Sequence, residues 1–519
     1  MQAVTAEWKN INQRFLLPEA FVEISCRIPD VAYEASVSAT NAASFSANDL
    51  VASDGTAAIP HYATLERNIW LLDGTRGILP DATPNLTPGY VSQDDSGASV
   101  TMTLASASEA SIPGITVTWS NEFFEHPTSF NVIAKAGDTV VASTTITENQ
   151  EDKVLVELDA SGFDSITVEP LDWCLPDRRV RLEKIVLGHD ITFNKGDLVN
   201  YQHEHSGDIL CGELPKNVIQ FSVLNVDGRW NPSNPSGLWR YLSDRQKITA
   251  RYGLDVNGAI EWIPAGVFYL SNWNAPANGL EASFEARDVF EYLINETYSG
   301  RSAGTFADMV SDAIGDLVPS LSFAEAMEET AGALSESKTA AEVIQMCANA
   351  GRSSVYQSRD GGLVFKDWPT YAVSDYYISM ALSYSHPELT LSKPLRGISV
   401  AYGTAGEALE VPLGTNGELQ TVSNPLVGTV EQAVLVADWI KGVLETRQTI
   451  SGEFRADPRL DLYDIVSIES KYGIILPVVI TSIRYSYTGC FKASYTGRVM
   501  PGGASSALGT FVLGQSRIV

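Results

Sequence analysis

A mainly β fold with α+β parts is the class that three observations predict. Apolar and polar residues alternate in short runs along most of the chain. Gly, Pro, Asn and Asp clusters separate those runs at regular spacing, as in antiparallel sheets. Helical periodicity arrives only after about residue 300 and is confined to a few segments.

Taken in order, Phe21–Arg27 (FVEISCR) alternates as a strand does. Residues 35–58, rich in Ala, Ser, Thr and Asn, suit edge strands or loops. Between Leu65 and Leu187 the short runs Val100–Leu104, Ile115–Trp119, Ser129–Ala134, Thr139–Thr145, Lys153–Leu158, Ser165–Val168 and Val180–Leu187 follow one another without a helix. That texture predicts an antiparallel β-sandwich, placed as a domain inserted into another. Ile248–Tyr252, the turn DVNG and Ala259–Ile263 predict a hairpin. Gly266–Trp273 and Gly279–Ala286 add strands, and with no crossover helix the block predicts a small barrel.

Phe306, Met309, Val310, Ala313, Ile314 and Leu317 share one helical face. Thr339 and Glu342 have capping-box spacing before Val343 and Ile344, and Gly351 marks the stop. Ser353–Gln357 and Leu363–Trp368 flank a turn and complete an α+β module. Thr429 and Gln432 predict a second capping box, for a helix that buries Ala433, Val436, Ile440, Val443 and Leu444. Strands are expected at Ile465–Glu469, Ile474–Ile480, Ile483–Tyr487 and Phe491–Arg498. The tail beyond Pro501 is Gly/Ser-rich and then apolar, either loose or docked.

The 519 residues have room for about three to four domains. A formal charge of −28 repels nucleic acid and anionic membranes, and no basic run offsets it. Cys26, Cys174, Cys211, Cys347 and Cys490 are far apart, without C-x-x-C spacing. They read as buried free thiols of a reducing cytoplasm. The polar N-terminus lacks a signal-peptide core, and no apolar run is long enough for a membrane span.

Catalytic signatures are missing: no G-x-S-x-G, H-E-x-x-H, P-loop or strand-following G-x-G-x-x-G occurs. His203 and His205 would share one face of a strand and offer two metal ligands; the alternative is an exposed loop pair without a third ligand. Asp457 and Asp461 read as turn residues opening a strand. Asn225, Asp227 and Asn231 lack the spacing of a calcium loop. The sequence therefore predicts no enzyme, no metal and no cofactor. One loop, Asn121–Thr128 (NEFFEHPT), sets Asn121, Phe123, Phe124 and His126 among polar groups. Such a loop either stacks on a sugar ring or packs a sandwich end.

The segment Asn225–Leu242 (NVDGRWNPSNPSGLWRYL) packs two prolines and two tryptophans into a turn signal. Together with GELPKN at Gly212–Asn217 and RYG at Arg251–Gly253 it resembles the baseplate hub, or tail-tip hub, of bacteriophage tails. DPRLDLYDIV at Asp457–Val466 and SNP at Ser423–Pro425 agree. Tyr463 departs from the pattern, because a small residue, often Gly, is expected there. The block 65–187 resembles a galactose-binding-like jelly roll, through its strand pattern and NIWLLDG at Asn68–Gly74.

The hub resemblance implies two tail-tube-like β-barrels per chain in a homotrimer, whose pseudo-sixfold ring matches a sixfold tail tube. It assigns residues 1–64 and 188–300 to the first barrel, 65–187 to the inserted sandwich, 301–384 to the α+β module, 385–500 to the second barrel and 501–519 to the tail. Implied partners are tail tube and distal tail proteins, receptor-binding or fibre proteins of the tip, and DNA that passes without specific binding. A host-surface glycan on the jelly roll is a further candidate partner. The implied setting is the virion, after synthesis in the bacterial host cytoplasm. Trp230, Trp239 and Phe511 are candidate subunit or partner contacts, with core packing as the alternative for the tryptophans. Acidic residues of the barrels are expected to face the channel. A glycan-binding tail protein and a tail-associated cell-wall hydrolase are the rival readings.

Overall fold

The computed structural model describes the chain apart from residues 13, 15–18, 31–32, 44–45, 54–61, 64–76, 79–88, 95–96, 109–110, 121–124, 277–278, 335–336, 369–375 and 501–519. The chain divides into two compact units. The first comprises Met1–Ile24, Phe193–Ser233 and Lys247–Val519, and the second Ser25–Thr192 and Asn234–Gln246.

The second unit is an antiparallel sandwich. Its larger sheet runs Ala35–Thr40, Ser99–Leu104, Ser165–Trp173, Pro127–Ala136, Thr139–Ile146 in spatial order. The smaller runs Lys153–Ala160, Ile112–Trp119, Arg181–Leu187, Tyr90–Val91. Every long strand predicted between residues 100 and 187 is present. Alternation places Val100, Met102, Ile115, Val117, Ile166 and Val168 in one apolar core. Trp119 stands edge-on to Phe130 at 5.2 Å and to Trp173 at 5.8 Å. Ala35–Thr40, which lies in the stretch 1–64, pairs in register with Ser99–Leu104 and so belongs to this sandwich. The NIWLLDG entry at Asn68–Gly74 lies outside the described residues.

The first unit is built on a 13-stranded sheet. Ala20–Ile28 leads into Lys247–Val256, Ala259–Asn274, Glu281–Arg287, Lys216–Leu224 and Leu198–Ser206, each paired with the next. Leu198–Ser206 then pairs with Ile475–Tyr487, and the ladder continues through Phe491–Val499, Gln448–Arg455 and Glu388–Leu391. Ile475–Tyr487 serves two partners on its other side. Ile475–Val479 pairs with Ile465–Glu469, and Ser482–Tyr487 pairs with Tyr201–Ser206.

Two separate closed barrels are therefore not found among the described residues. The two expected strand groups join into one sheet because Leu198–Ser206 spends its free edge on Ile475–Tyr487. The sheet is nevertheless strongly curled. Tyr252 lies several strands from Tyr201, yet their hydroxyls are 3.1 Å apart. Tyr487 donates to the carbonyl of Ala20, in strand Ala20–Ile28 near the far end of the sheet, at 2.9 Å. Aromatic side chains close the interior where a backbone ladder would close a barrel.

The predicted hairpin at residues 248–263 is present, but Ala259–Asn274 is a single 16-residue strand. A register shift opposite Ala250 and Arg251 lets it continue past Pro264, a bulge being where a strand tolerates proline. Leu395–Tyr402, Glu407–Pro412 and Glu418–Asn424, expected in the second barrel, form a separate three-stranded sheet. Helix Val430–Leu444 packs its apolar side, Ala433, Val436 and Ile440, into the core shared with Ile398 and Val400.

In the α+β module, helix Ala340–Ala350 carries the full box between Thr339 and Glu342 and stops at Gly351. Helix Phe306–Ile314 has a box that the sequence reading overlooked, because Asp308 replaces the usual Glu. Leu317, expected on its apolar face, is 40% exposed, since Gly315 ends the helix first with φ of +55°. The second predicted box is half made. Thr429 accepts from Gln432 N at 3.3 Å, but Gln432 Oε1 turns to Gly428 N at 2.9 Å.

Candidate functional site

Because ladder partners share a face, the register of the sheet orders its two surfaces row by row. One row on the open face reads Arg287, Val218, Glu204, Arg484, Ser494, Glu453. The next reads Glu285, Gln220, Gln202, Ser486, Lys492, Arg455. Asn200, Gln202, Gln220, Ser222, Asn272 and Ser283 line a shallow trough of about 250 Å³ in this surface. Acidic residues do stand on this face, each beside a basic one. Arg484 pairs with Glu204 at 2.8 Å, Arg287 with Glu285 at 2.8 Å and Lys492 with Glu453 at 2.7 Å. Arg251 pairs with Glu23 at 2.6 Å and lies 4.3 Å over the Trp262 ring.

The opposite face is buried, and it holds the chemistry that most resembles an active site. His203 and His205 sit in strand Leu198–Ser206, so their side chains share one face. They are buried at 2% and 6% exposure rather than in an exposed loop. The oxygen of Asn217 lies 2.6 Å from His203 Nε2, and an oxygen there fixes the proton on that nitrogen. Nδ1 then accepts from Tyr252 at 2.6 Å, and Tyr252 accepts from Tyr201 at 3.1 Å. Burial pushes the His203 imidazole down to about 4 and that of His205 to about 3. His205 Nε2 makes no protein hydrogen bond. No cluster of three metal-ligating side chains occurs among the described residues.

Beside this relay, the guanidinium of Arg359 reaches in from the turn between strands Ser353–Gln357 and Leu363–Asp367. It donates to Asp461 at 2.5 Å and to the carbonyls of Pro264, Pro458 and Leu460 at 2.7–2.9 Å. Burial works to raise the Asp461 carboxyl, but Arg359 and Gln2 outweigh it and hold it below the usual range. Asp457, wholly buried, pairs with Arg459 at 2.5 Å. One arginine thus ties the α+β module, the long strand Ala259–Asn274 and the turn before Ile465–Glu469. Its donors are matched by acceptors, and the Tyr–His relay beside it is sealed from solvent. The constellation is a lock, with no group presented to a substrate.

Asp457 and Asp461 do occupy turns before a strand, as read; Asp457 is wholly buried, Asp461 is 13% exposed, and each is the ion-pair partner of an arginine. Arg359 was missed, because a charged residue at a hairpin turn reads as exposed. Tyr463 has φ of +62°, a backbone conformation that suits the glycine expected there. Its ring is buried and its hydroxyl donates to the carbonyl of Asp208 at 3.1 Å.

The candidate contact residues fall in different settings. Trp230 is 1% exposed and packs against Phe193 at 5.9 Å and Phe284 at 5.3 Å. Asn225 Oδ1 accepts from Trp230 N at 3.1 Å, and Gly228, with φ of +68°, makes the turn that brings the ring inward. Trp239 belongs to the other unit, is half-buried, and donates from Nε1 to the carbonyl of Asn234 at 2.7 Å. Phe511 lies outside the described residues, as do Asn121, Phe123 and Phe124 of the proposed sugar loop. His126 is half-buried with Nδ1 3.1 Å from Asp152. Nearby Glu125, 1% exposed, pairs with Arg178 at 3.5 Å. All five cysteines are free, and Cys490 is exposed rather than buried.

No known family profile matches the chain, and no curated protein matches it either. Solved structures do. A tail protein from Neisseria meningitidis MC58 shares 12% identity, with 61% of this chain and 95% of that one covered and a TM-score of 0.43. The 43 kDa tail protein of prophage MuSo2 from Shewanella oneidensis gives 12%, 61%, 95% and 0.41. Prophage tail protein gp18 from Listeria monocytogenes EGD-e gives 10%, 59%, 91% and 0.39. All three are tail proteins.

Proposed function

We propose that the chain is a structural hub of a phage tail tip or baseplate. The observation that carries this reading is the curled sheet in which two strand groups are sutured into one surface. A rigid surface of that kind, polar on its open face and locked on the other, suits a ring wall. The motif resemblance in Asn225–Leu242 and Asp457–Val466 supplies the family. In this reading three copies close a ring of heterologous contacts that adapts a sixfold tube to a threefold tip. The open face, with its rows of Gln, Ser, Arg and Glu, lines the channel through which DNA passes. The buried lock keeps the wall from opening under load.

Multi-angle light scattering of the purified chain, followed by co-sedimentation with assembled tail tube protein, tests the proposal. A trimer that caps tubes is the expected result. A chain that stays monomeric at micromolar concentration and ignores tubes sinks it.

A further inference from the structure

We propose that the open sheet face is a compensated polyanion surface. Most of its cations are cancelled by acidic neighbours so that duplex DNA runs past without being held. The inference rests on the hub reading and deepens it by stating how the channel wall treats its cargo.

Three observations carry it. The chain as a whole is strongly acidic, at −28. Yet Lys216, Lys247, Arg251, Arg287, Arg455, Arg484 and Lys492 all stand on this one face. Four of them have a carboxylate on the same face at salt-bridge distance: Arg251 with Glu23, Arg287 with Glu285, Arg484 with Glu204 and Lys492 with Glu453. These pairs are half-exposed, so their contribution to stability is small. Their effect on the field is larger. Opposite charges 3 Å apart cancel well inside a Debye length of about 10 Å. Between them the trough offers amides and hydroxyls, which have no net charge, beside Trp273 and the carboxylate of Glu285.

An uncompensated row of arginines would exchange counterions with phosphates and bind duplex tightly. A purely acidic wall would repel it and raise a barrier to entry. A paired, amide-lined wall does neither. The acids Glu204, Glu285 and Glu453 are thus masks for latent phosphate sites.

The test is fluorescence anisotropy of a labelled duplex with the full-length protein at low salt. Three proteins are compared: the wild type, the triple variant Glu204→Gln, Glu285→Gln, Glu453→Gln, and a control triple, Glu325→Gln, Glu328→Gln, Glu431→Gln. The control removes the same charge from exposed positions elsewhere. Expected are weak binding by the wild type and the control, and at least a tenfold gain for the face triple that disappears as salt rises. The single variant Glu453→Gln should show part of the gain and guards against misfolding of the triple. Equal binding by face triple and control overturns the inference, as does tight binding by the wild type. Light scattering on the same samples reads the hub proposal separately: loss of the trimer would sink that reading, and the anisotropy result would still decide the masking.

Discussion

In the sandwich, Trp119, Phe130, Phe163 and Met102 sit in a core made almost wholly of apolar side chains, drawn from one stretch of sequence. In the curled sheet, the interior holds Arg359, Asp461, Arg459, Asp457 and the Tyr201–Tyr252–His203 relay, drawn from residues hundreds of positions apart. The sandwich needs only burial, which is non-directional and forgiving. The sheet adds directional contacts that are satisfied in one arrangement alone, so an error in joining its strand groups leaves charge buried without a partner. Apolar cores fold a domain, whereas a matched buried charge specifies which distant segments meet.

The comparison breaks most readily at Arg359. Arg359→Met strips Asp461 of its arginine and leaves it only Gln2 and the N-terminal ammonium, at a cost of up to roughly 3–5 kcal/mol. Hydrogen exchange should then show lost protection in Leu198–Ser206 and Ile475–Tyr487, with Ile112–Trp119 of the sandwich unchanged. Equal loss in both regions would refute the separation. A second Asp461→Asn change should restore part of the loss. Next in size are the tryptophans. Trp119→Ala and Trp230→Ala each remove a buried ring, at roughly 3–5 kcal/mol. Each should lower protection in its own unit, and urea denaturation gives the magnitude.

Acid sharpens the contrast further. His203, depressed to about 4 in the folded sheet, titrates near 6.5 when unfolded. Between those values the unfolded chain binds the extra proton, so stability falls as pH drops from about 6.5 to about 4. The loss is roughly 3 kcal/mol at its full extent. His205 acts in the same direction down to about 3. The urea midpoint of the sheet should follow this limb, and His205→Leu should flatten it. A limb unchanged by that substitution would remove His205 as a contributor. Smallest is the capping effect. Thr339→Ala should cost about 1 kcal/mol, and Thr429→Ala less, since only half of its box is formed. Urea midpoints of the two variants measure the difference.

Much of this was legible in the sequence because the relevant signals are local. Period-2 alternation located the sandwich strands, and the Thr339–Glu342 spacing located a helix start. What alternation cannot carry is which edge meets which. Nothing in YQHEHS says that Tyr201–Ser206 will pair with Ser482–Tyr487, so two barrels were expected where one sheet runs through. Arg359 and its ion pair with Asp461 were missed for the same reason. Their burial is created by partners about a hundred positions apart in sequence. Conversely, the glycine expected at Tyr463 was a sound inference about backbone, since φ there is +62°.

The strand Ile475–Tyr487 carries ladders on both sides over most of its length. A pull along such a strand loads its hydrogen bonds in shear, all together, whereas peeling would break them one at a time. A sheet hinged on this strand would yield abruptly and at high force.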